Sequence, residues 1–224
     1  MKILKNIGKD LELKAKRNIK ISIILLAIGI VGIFHTYISN NFILIFPYVI
    51  ILSVATLFFK KHSDYLKGLE GEKMVINELS KLDDRYYLIN DVKFSDSYGN
   101  IDHIVLGPNG IFVVETKNWK KYWKRYIDFR MATKPSKQAK GNALKVNQII
   151  KSSNIFKKQL NAWIQGTVVF VNPNIDLDLT DKSVPVLKIN ELYDYIKNKK
   201  SEIRFSNQDL EKIGKVILNQ IESD

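Results

Sequence analysis

Two uninterrupted apolar runs, Ile21 to Ile38 and Phe42 to Phe59, occupy most of the first quarter of the chain, and neither carries a charged residue. As helices, each extends about 27 Å, close to the hydrocarbon thickness of a bilayer. Only Ser39-Asn40-Asn41 separates them, which predicts an antiparallel helical hairpin with a tight polar turn. From Asp64 the pattern becomes mixed. Tyr65, Leu69, Met74, Val75, Ile76, Leu79 and Leu82 recur at helical spacing, predicting an amphipathic helix to about Leu82. Tyr86 to Val92, Ile101 to Leu106 and Ile111 to Asn118 read as strands, divided by the turn formers Asp96 to Asn100 and Gly107-Pro108-Asn109-Gly110. The last two strands are expected to form a hairpin.

Residues 136–162 return to helical character, with Ala139, Ala143, Leu144, Val146, Ile149 and Ile150 on one face and Pro135 near the start. A turn or break is compatible with Ser152-Ser153-Asn154. Thr167 to Val171 suits a buried strand, and Val184 to Ile189 a weaker one. Two closing helices follow, the last introduced by Ser206 with Asp209 three residues on, a capping-box start. This order implies an α/β fold, helices packed on both sides of a small mixed sheet. The expected division is a basic segment 1–20, the hairpin 21–59, one α/β domain 63–189 and closing helices 190–224 packed on it.

Charge orients the hairpin. Lys2, Lys5, Lys9, Lys14, Lys16, Arg17 and Lys20 precede the first run, Lys60 and Lys61 follow the second, and the turn has no lysine or arginine. The positive-inside bias therefore puts the N-terminus and the C-terminal domain in the cytoplasm, as a multi-pass protein of the cell membrane. A secretory signal peptide is the competing reading of the first run, but no small-x-small cleavage pattern follows and a second run comes at once. A buried core hairpin of a soluble protein is the other. The formal net charge of +12 over 224 residues points to polyanionic partners, nucleic acid and anionic membrane lipid. Nothing in the sequence points to a protein partner. Cysteine is absent, which excludes disulfides, thiolate zinc sites and cysteine nucleophiles. The three histidines, His35, His62 and His103, are far apart, so any metal must be held mainly by oxygen.

Oxygen ligands are available on the predicted hairpin. If Pro108-Asn109 is a two-residue connection, Asp102 falls opposite Glu115 on one face, and period-two alternation adds Lys117 to that face. Carboxylates facing each other across a ladder repel unless a cation or a proton relieves them. A magnesium ion, or manganese in its place, suits two carboxylates without a histidine cage, and Lys117 beside it can orient or deprotonate a water molecule. An isolated Glu-x-Lys is more often a pair of solvated charges, with Asp102 a turn residue. Here the pair follows the apolar run Ile111-Phe112-Val113-Val114, where a strand passes from core to cleft. His103 alternates away from Asp102 and reads as a packed or surface histidine rather than a ligand.

Over roughly residues 66–172 the sequence resembles the nuclease-related domain family of the PD-(D/E)XK, or restriction-endonuclease-like, superfamily. The resemblance rests on Gly68-Leu69-Glu70-Gly71-Glu72, on Gly99-Asn100-Ile101-Asp102-His103-Ile104-Val105, on Gly107 through Asn118, and on Pro135-Ser136-Lys137-Gln138-Ala139-Lys140-Gly141-Asn142-Ala143. It implies a restriction-endonuclease-like mixed sheet flanked by helices, metal binding by Asp102 and Glu115, and assistance to the nucleophile by Lys117. It also implies that Glu72 and Gln138 line the same cleft. From the residues alone, Glu72 is equally a first-turn glutamate favoured by the helix dipole, Gln138 equally a surface amide, and Gly68 and Gly71 equally aids to close packing.

The stretch Trp119 to Tyr126 departs from the family pattern in being basic and aromatic. With Lys137 and Lys140, its Trp119, Lys120, Lys121, Lys124 and Arg125 suit stacking on bases and contacts to phosphate. Equally, it suits an edge strand whose aromatics pack inward while lysines protect the edge. The resulting expectation is a membrane-anchored, magnesium-dependent nuclease cutting phosphodiester bonds, of DNA ahead of RNA. The alternative is an inactive, membrane-tethered nucleic-acid-binding or scaffold module on the same fold.

Overall fold

The computed structural model describes residues 1–95, 99–119, 126–127, 129–155, 164–172, 176–177, 183–201 and 203–222. The chain forms two compact units, Lys9–Glu70 on the one hand and Met1–Gly8 with Gly71–Asp224 on the other.

The first unit is the hairpin. Helix α1 covers Asp10–Ile38, a single 3-10 turn covers Phe42–Leu44, and α2 begins at Ile45. Both helices are long and apolar enough to cross a membrane. Bulky apolar side chains such as Ile24, Phe34, Ile43 and Phe46 point outward and are exposed. Small residues make the contact between the helices: a Cβ on Gly29 would strike Leu52, and one on Gly32 would strike the Tyr48 ring. Ser22 Oγ donates to the Ala55 carbonyl at 2.9 Å, and His62 Nδ1 lies 2.9 Å from the Ala15 carbonyl. Apolar outside and small at the seam is how helices pack when lipid offers no hydrophobic drive for association.

The second unit is built on one sheet. Strands β1 (Lys2–Lys5), β2 (Tyr87–Val92), β3 (Ile101–Gly107) and β4 (Gly110–Lys117) are followed by β5 (Tyr126–Ile127) and helix α3 (Phe129–Ser152). Then come β6 (Ile164–Phe170), β7 (Asp176–Leu177), β8 (Val186–Lys188), α4 (Ile189–Lys197) and α5 (Asn207–Asn219). The sheet order is β1-β2-β3-β4-β6-β8, with β5 and β7 forming a separate pair. β2, β3 and β4 are antiparallel neighbours, whereas the β1–β2, β4–β6 and β6–β8 pairs are parallel. This is the expected mixed α/β architecture.

Alternation assigns the two faces. Ile104, Leu106, Ile111 and Val113 pack with Val146 and Ile150 of α3 and with Leu210, Ile213 and Ile217 of α5. Val105, Phe112, Val114 and Val169 pack on the other side with Val75 and Leu79 of α2 and Leu192 and Ile196 of α4. The sheet is therefore covered on both sides. Ser206 starts α5 by accepting from the Asp209 amide at 3.2 Å, the capping box read from the sequence.

Three elements differ from expectation. The amphipathic helix beginning near Asp64 is not separate, because α2 runs unbroken from Ile45 to Leu79. Pro135 lies inside α3, whose first residue is Phe129, rather than near its start. Residues 2–5, read only as part of a basic segment, are an edge strand of the sheet, with an irregularity between Ile3 and Lys5.

Gly166 of β6 marks the tightest contact between helix and sheet. A Cβ there would lie 2.4 Å from the Ala139 carbonyl oxygen of α3, whereas one on Gly141 of α3 would meet nothing within 4 Å. Gly166→Ala is therefore expected to destabilise the protein by about 1–3 kcal/mol. Gly141→Ala should leave stability unchanged or raise it by about 0.5–1 kcal/mol through helix propensity. Thermal or denaturant unfolding of the two variants side by side checks this.

Candidate active site

The site is set by a turn. Gly107 pairs with Gly110, so Pro108 and Asn109 alone connect β3 to β4, and Gly110 takes a φ of 145° that only glycine adopts comfortably. Asn109 is buried and donates from Nδ2 to the Ile196 carbonyl at 2.6 Å, which anchors the turn on α4. From this turn the pairing runs without a bulge to His103–Val114. The next positions along the two strands are Asp102 and Glu115, in the register expected from the sequence.

Their side chains converge where the ladder stops. Asp102 Oδ2 accepts the Thr116 amide at 2.7 Å, and Lys117 Nζ donates to Glu115 Oε1 at 2.6 Å. Glu115 is 2% exposed, and its Oε2 is buried with no hydrogen-bond partner. Glu72 arrives from α2, one turn before Val75 on the stripe that faces the sheet. It can do so because Gly71 has no side chain: a Cβ would sit 2.9 Å from Asn118 Cβ and 3.3 Å from Thr116 Cγ2. Glu72 is itself buried, 9% exposed.

A fourth acid, Asp91, acts on Glu72 and Asp102 through its charge. The β2–β3 pairs Asn90–His103 and Val92–Ile101 bracket Asp91 and set it across from Asp102. Asp91 has a left-handed backbone, φ 50°, and its Oδ1 accepts from Asn100 Nδ2 at 2.5 Å. Sequence reasoning missed it. The β3–β4 register could be computed from a two-residue turn, but the longer β2–β3 connection leaves that register open, so no signal placed Asp91 beside Asp102.

Electrostatics follow from this crowding. Burial, then the charges of Asp102, Asp91 and Glu115, push the Glu72 carboxyl up to about 8. Burial also raises Asp102, against the pull of the Thr116 amide and Lys117. Glu115 is raised by burial and by Asp102, against Lys117. At about 1.4 kcal/mol per unit, ionising Glu72 at neutral pH costs more than a surface ion pair returns. The group therefore needs protons or a cation.

The donor set is all oxygen, and the orphaned Glu115 Oε2 is an unfilled acceptor, so the residues fit a hard divalent ion. Among the described residues, however, no three Asp, Glu or His side chains are grouped as a ready cage. His103 is no part of the donor set. It is fully buried on the opposite face, between Asn90 and Thr116, and burial drives it down to about 3.

Gln138, Lys137 and Lys140 are exposed on α3. Trp119 is half-buried, its ring edge-on to Phe170 at 5.1 Å between centroids, which is inward packing. Lys120, Lys121, Lys124 and Arg125 lie outside the described residues.

Comparison with known proteins is consistent with this arrangement. Residues 67–171, which include Glu72, Asp91, Asp102, Glu115 and Lys117, match the model of a family described as the nuclease-related domain. A Bacillus anthracis protein described only as uncharacterized is 44% identical over 84 residues, covering 35% of this chain and 40% of that protein. The chain thus spans about two-fifths of that relative's length. No solved structure matches the chain.

The raised acids make stability depend on pH with a definite sign. An acid raised on folding contributes stability below its unfolded value and loses it as pH rises through the folded value. Glu72 therefore weakens the fold between 4.5 and about 8. His103, lowered from 6.5, works in the opposite sense but only below 6.5. In a metal chelator the melting temperature should thus fall from pH 6.5 to 8, and Glu72→Gln should flatten that fall and be the more stable protein at pH 8.

Proposed function

Residues 67–171 belong to the nuclease-related domain family, and from that premise we propose that the chain is a membrane-anchored, divalent-metal-dependent nuclease. It hydrolyses phosphodiester bonds of nucleic acid, DNA ahead of RNA. One observation carries the reading: Asp102, Glu115 and Lys117 meet at the end of the β3–β4 ladder, with one buried oxygen of Glu115 left without a partner. The fold and the arrangement of acids are consistent with the PD-(D/E)XK superfamily.

Asp102 and Glu115 would hold magnesium or manganese, with Glu72 and Asp91 as further acids nearby. A divalent ion bound there would neutralise the acids, polarise the scissile phosphate and make a nearby water more acidic. Lys117 does the local work: its Nζ sits against Glu115 and is still partly open to solvent, so it can orient the attacking water and offset charge developing on the phosphate. Water oxygen bonds to phosphorus and gives up a proton to solvent, the bond from phosphorus to the leaving oxygen breaks, and that oxygen takes a proton from solvent. Lys137 and Lys140 on α3 supply exposed charge for the phosphate backbone.

The hairpin holds this domain at the cell membrane, with Lys60 and Lys61 facing anionic lipid headgroups. The pairing of β1 with β2 supports a single-sided topology. The chain leaves the α/β unit after Gly8 and re-enters it at Gly71, so both ends of the hairpin belong on one side of the bilayer, the cytoplasmic side by lysine bias.

A second reading has its own observation. Lys117 is tied to Glu115, and among the described residues no three acids are grouped so as to hold a metal ion, which suits a nucleic-acid-binding or scaffold module without turnover.

The two readings separate in one assay. The full chain in detergent micelles is incubated with single-stranded, duplex and branched DNA and with RNA, in magnesium or manganese. The nuclease reading expects cleavage that a chelator stops. It also expects Lys117→Met and Asp102→Asn to lose about 10²–10⁴-fold in rate while still binding substrate. Binding without cleavage by the unmutated chain, on every substrate and with both metals, establishes the module instead.

A further inference from the structure

The hydrogen bonds beneath the acids have a polarity that is fixed from one end. Asn90 of β2 is fully buried and gives its side-chain amide to the Lys5 carbonyl of β1 at 3.0 Å. A carbonyl only accepts, so the Asn90 nitrogen faces β1 and Oδ1 faces β3. Oδ1 also only accepts, so His103 Nδ1, 2.8 Å away, carries the proton. In the neutral ring Nε2 is then an acceptor, and Thr116 Oγ1 at 3.2 Å must donate to it. The amide of the same threonine donates to Asp102 Oδ2 at 2.7 Å. Five residues on four strands thus form one connected chain, from a carbonyl on β1 to a carboxylate of the site, in which Thr116 donates on both sides.

We propose that His103 is a positioning residue for Asp102: by holding the Thr116 hydroxyl, it fixes the backbone amide that orients the Asp102 carboxylate. The β3–β4 ladder makes such a device necessary, because its pairing ends at His103–Val114 while β4 continues to Lys117. On its β3 side, Thr116 is tied by the imidazole and by Asp102 instead of by ladder bonds. This inference rests on Asp102 being an acid that holds a cation, and it assigns to His103 an indirect role: the ring touches neither cation nor substrate.

His103→Phe is the obvious variant, but it strands two buried partners and can fail to fold. Thr116→Val keeps shape and removes only the hydroxyl that His103 holds, while Thr116→Ser keeps the hydroxyl. Two quantities are measured on the full chain in detergent micelles: affinity for manganese by calorimetric titration, and hydrogen exchange of the residue-116 amide relative to that of Val113. The expected result is that Thr116→Val binds manganese about 10- to 100-fold more weakly and exchanges faster at residue 116, with Thr116→Ser close to the unmutated protein in both. Unchanged affinity and unchanged relative exchange in Thr116→Val overturn the inference. If the unmutated protein takes up no manganese, the metal reading of the site falls. Exchange then decides this inference alone: faster in the valine than in the serine variant upholds it, and equal rates reject it.

Discussion

A run of backbone hydrogen bonds between β3 and β4, closed by two residues and pinned by a buried asparagine, is the constraint from which the site follows. A side chain changes face with every residue of slip, so a shift of one in that register would send Asp102 and Glu115 to opposite faces of the sheet. Asn109 and Gly110 prevent the slip. One is locked into the end of α4, and the other takes a backbone angle that disfavours any side chain. Chemistry at one end of the hairpin is thus secured by packing at the other.

That register imposes an electrostatic burden. Asp102 and Glu115 share the end of the ladder with Lys117 as the close counter-ion, and repulsion among these acids, Glu72 and Asp91 adds to the cost of burial. The surrounding structure contains the burden rather than removing it. Gly71 lets α2 approach the end of β4 where any larger residue would hold it away, and the buried face behind Thr116 is uncharged at neutral pH. A site under this strain is poorly satisfied without a cation, which is the condition under which hard divalent ions are bound most usefully.

The elements legible in the sequence are those whose signal is local. β3, β4, the turn between them and the start of α5 are each specified within a few residues, by alternation, by turn chemistry and by a capping box. The order of the layers followed from these. Two features were not local. β1 is four residues of alternating lysine and apolar side chains in a segment that also suits a membrane flank, and only its distant partner makes it a strand. Asp91 has no distinguishing neighbour and acquires significance through a register that the longer β2–β3 connection conceals. The unbroken α2 was obscured for another reason: the abrupt change of composition at Lys60-Lys61-His62 resembles an element boundary, although a helix can cross such a change without interruption. Glu72 was ambiguous in the sequence because a first-turn glutamate and a site glutamate look alike. Its burial and its nearness in charge to Asp102 arise only in three dimensions.

The edge strand β1 also orders events in time. Lys2 is synthesised before either apolar helix and pairs with Tyr87, which is synthesised after both. The first strand must therefore wait, unpaired, while more than a third of the chain emerges behind it. Both apolar helices have emerged before β2 arrives to pair with β1 and begin the sheet. A chain arranged in this way can gather its acidic pocket only after both apolar helices have been made.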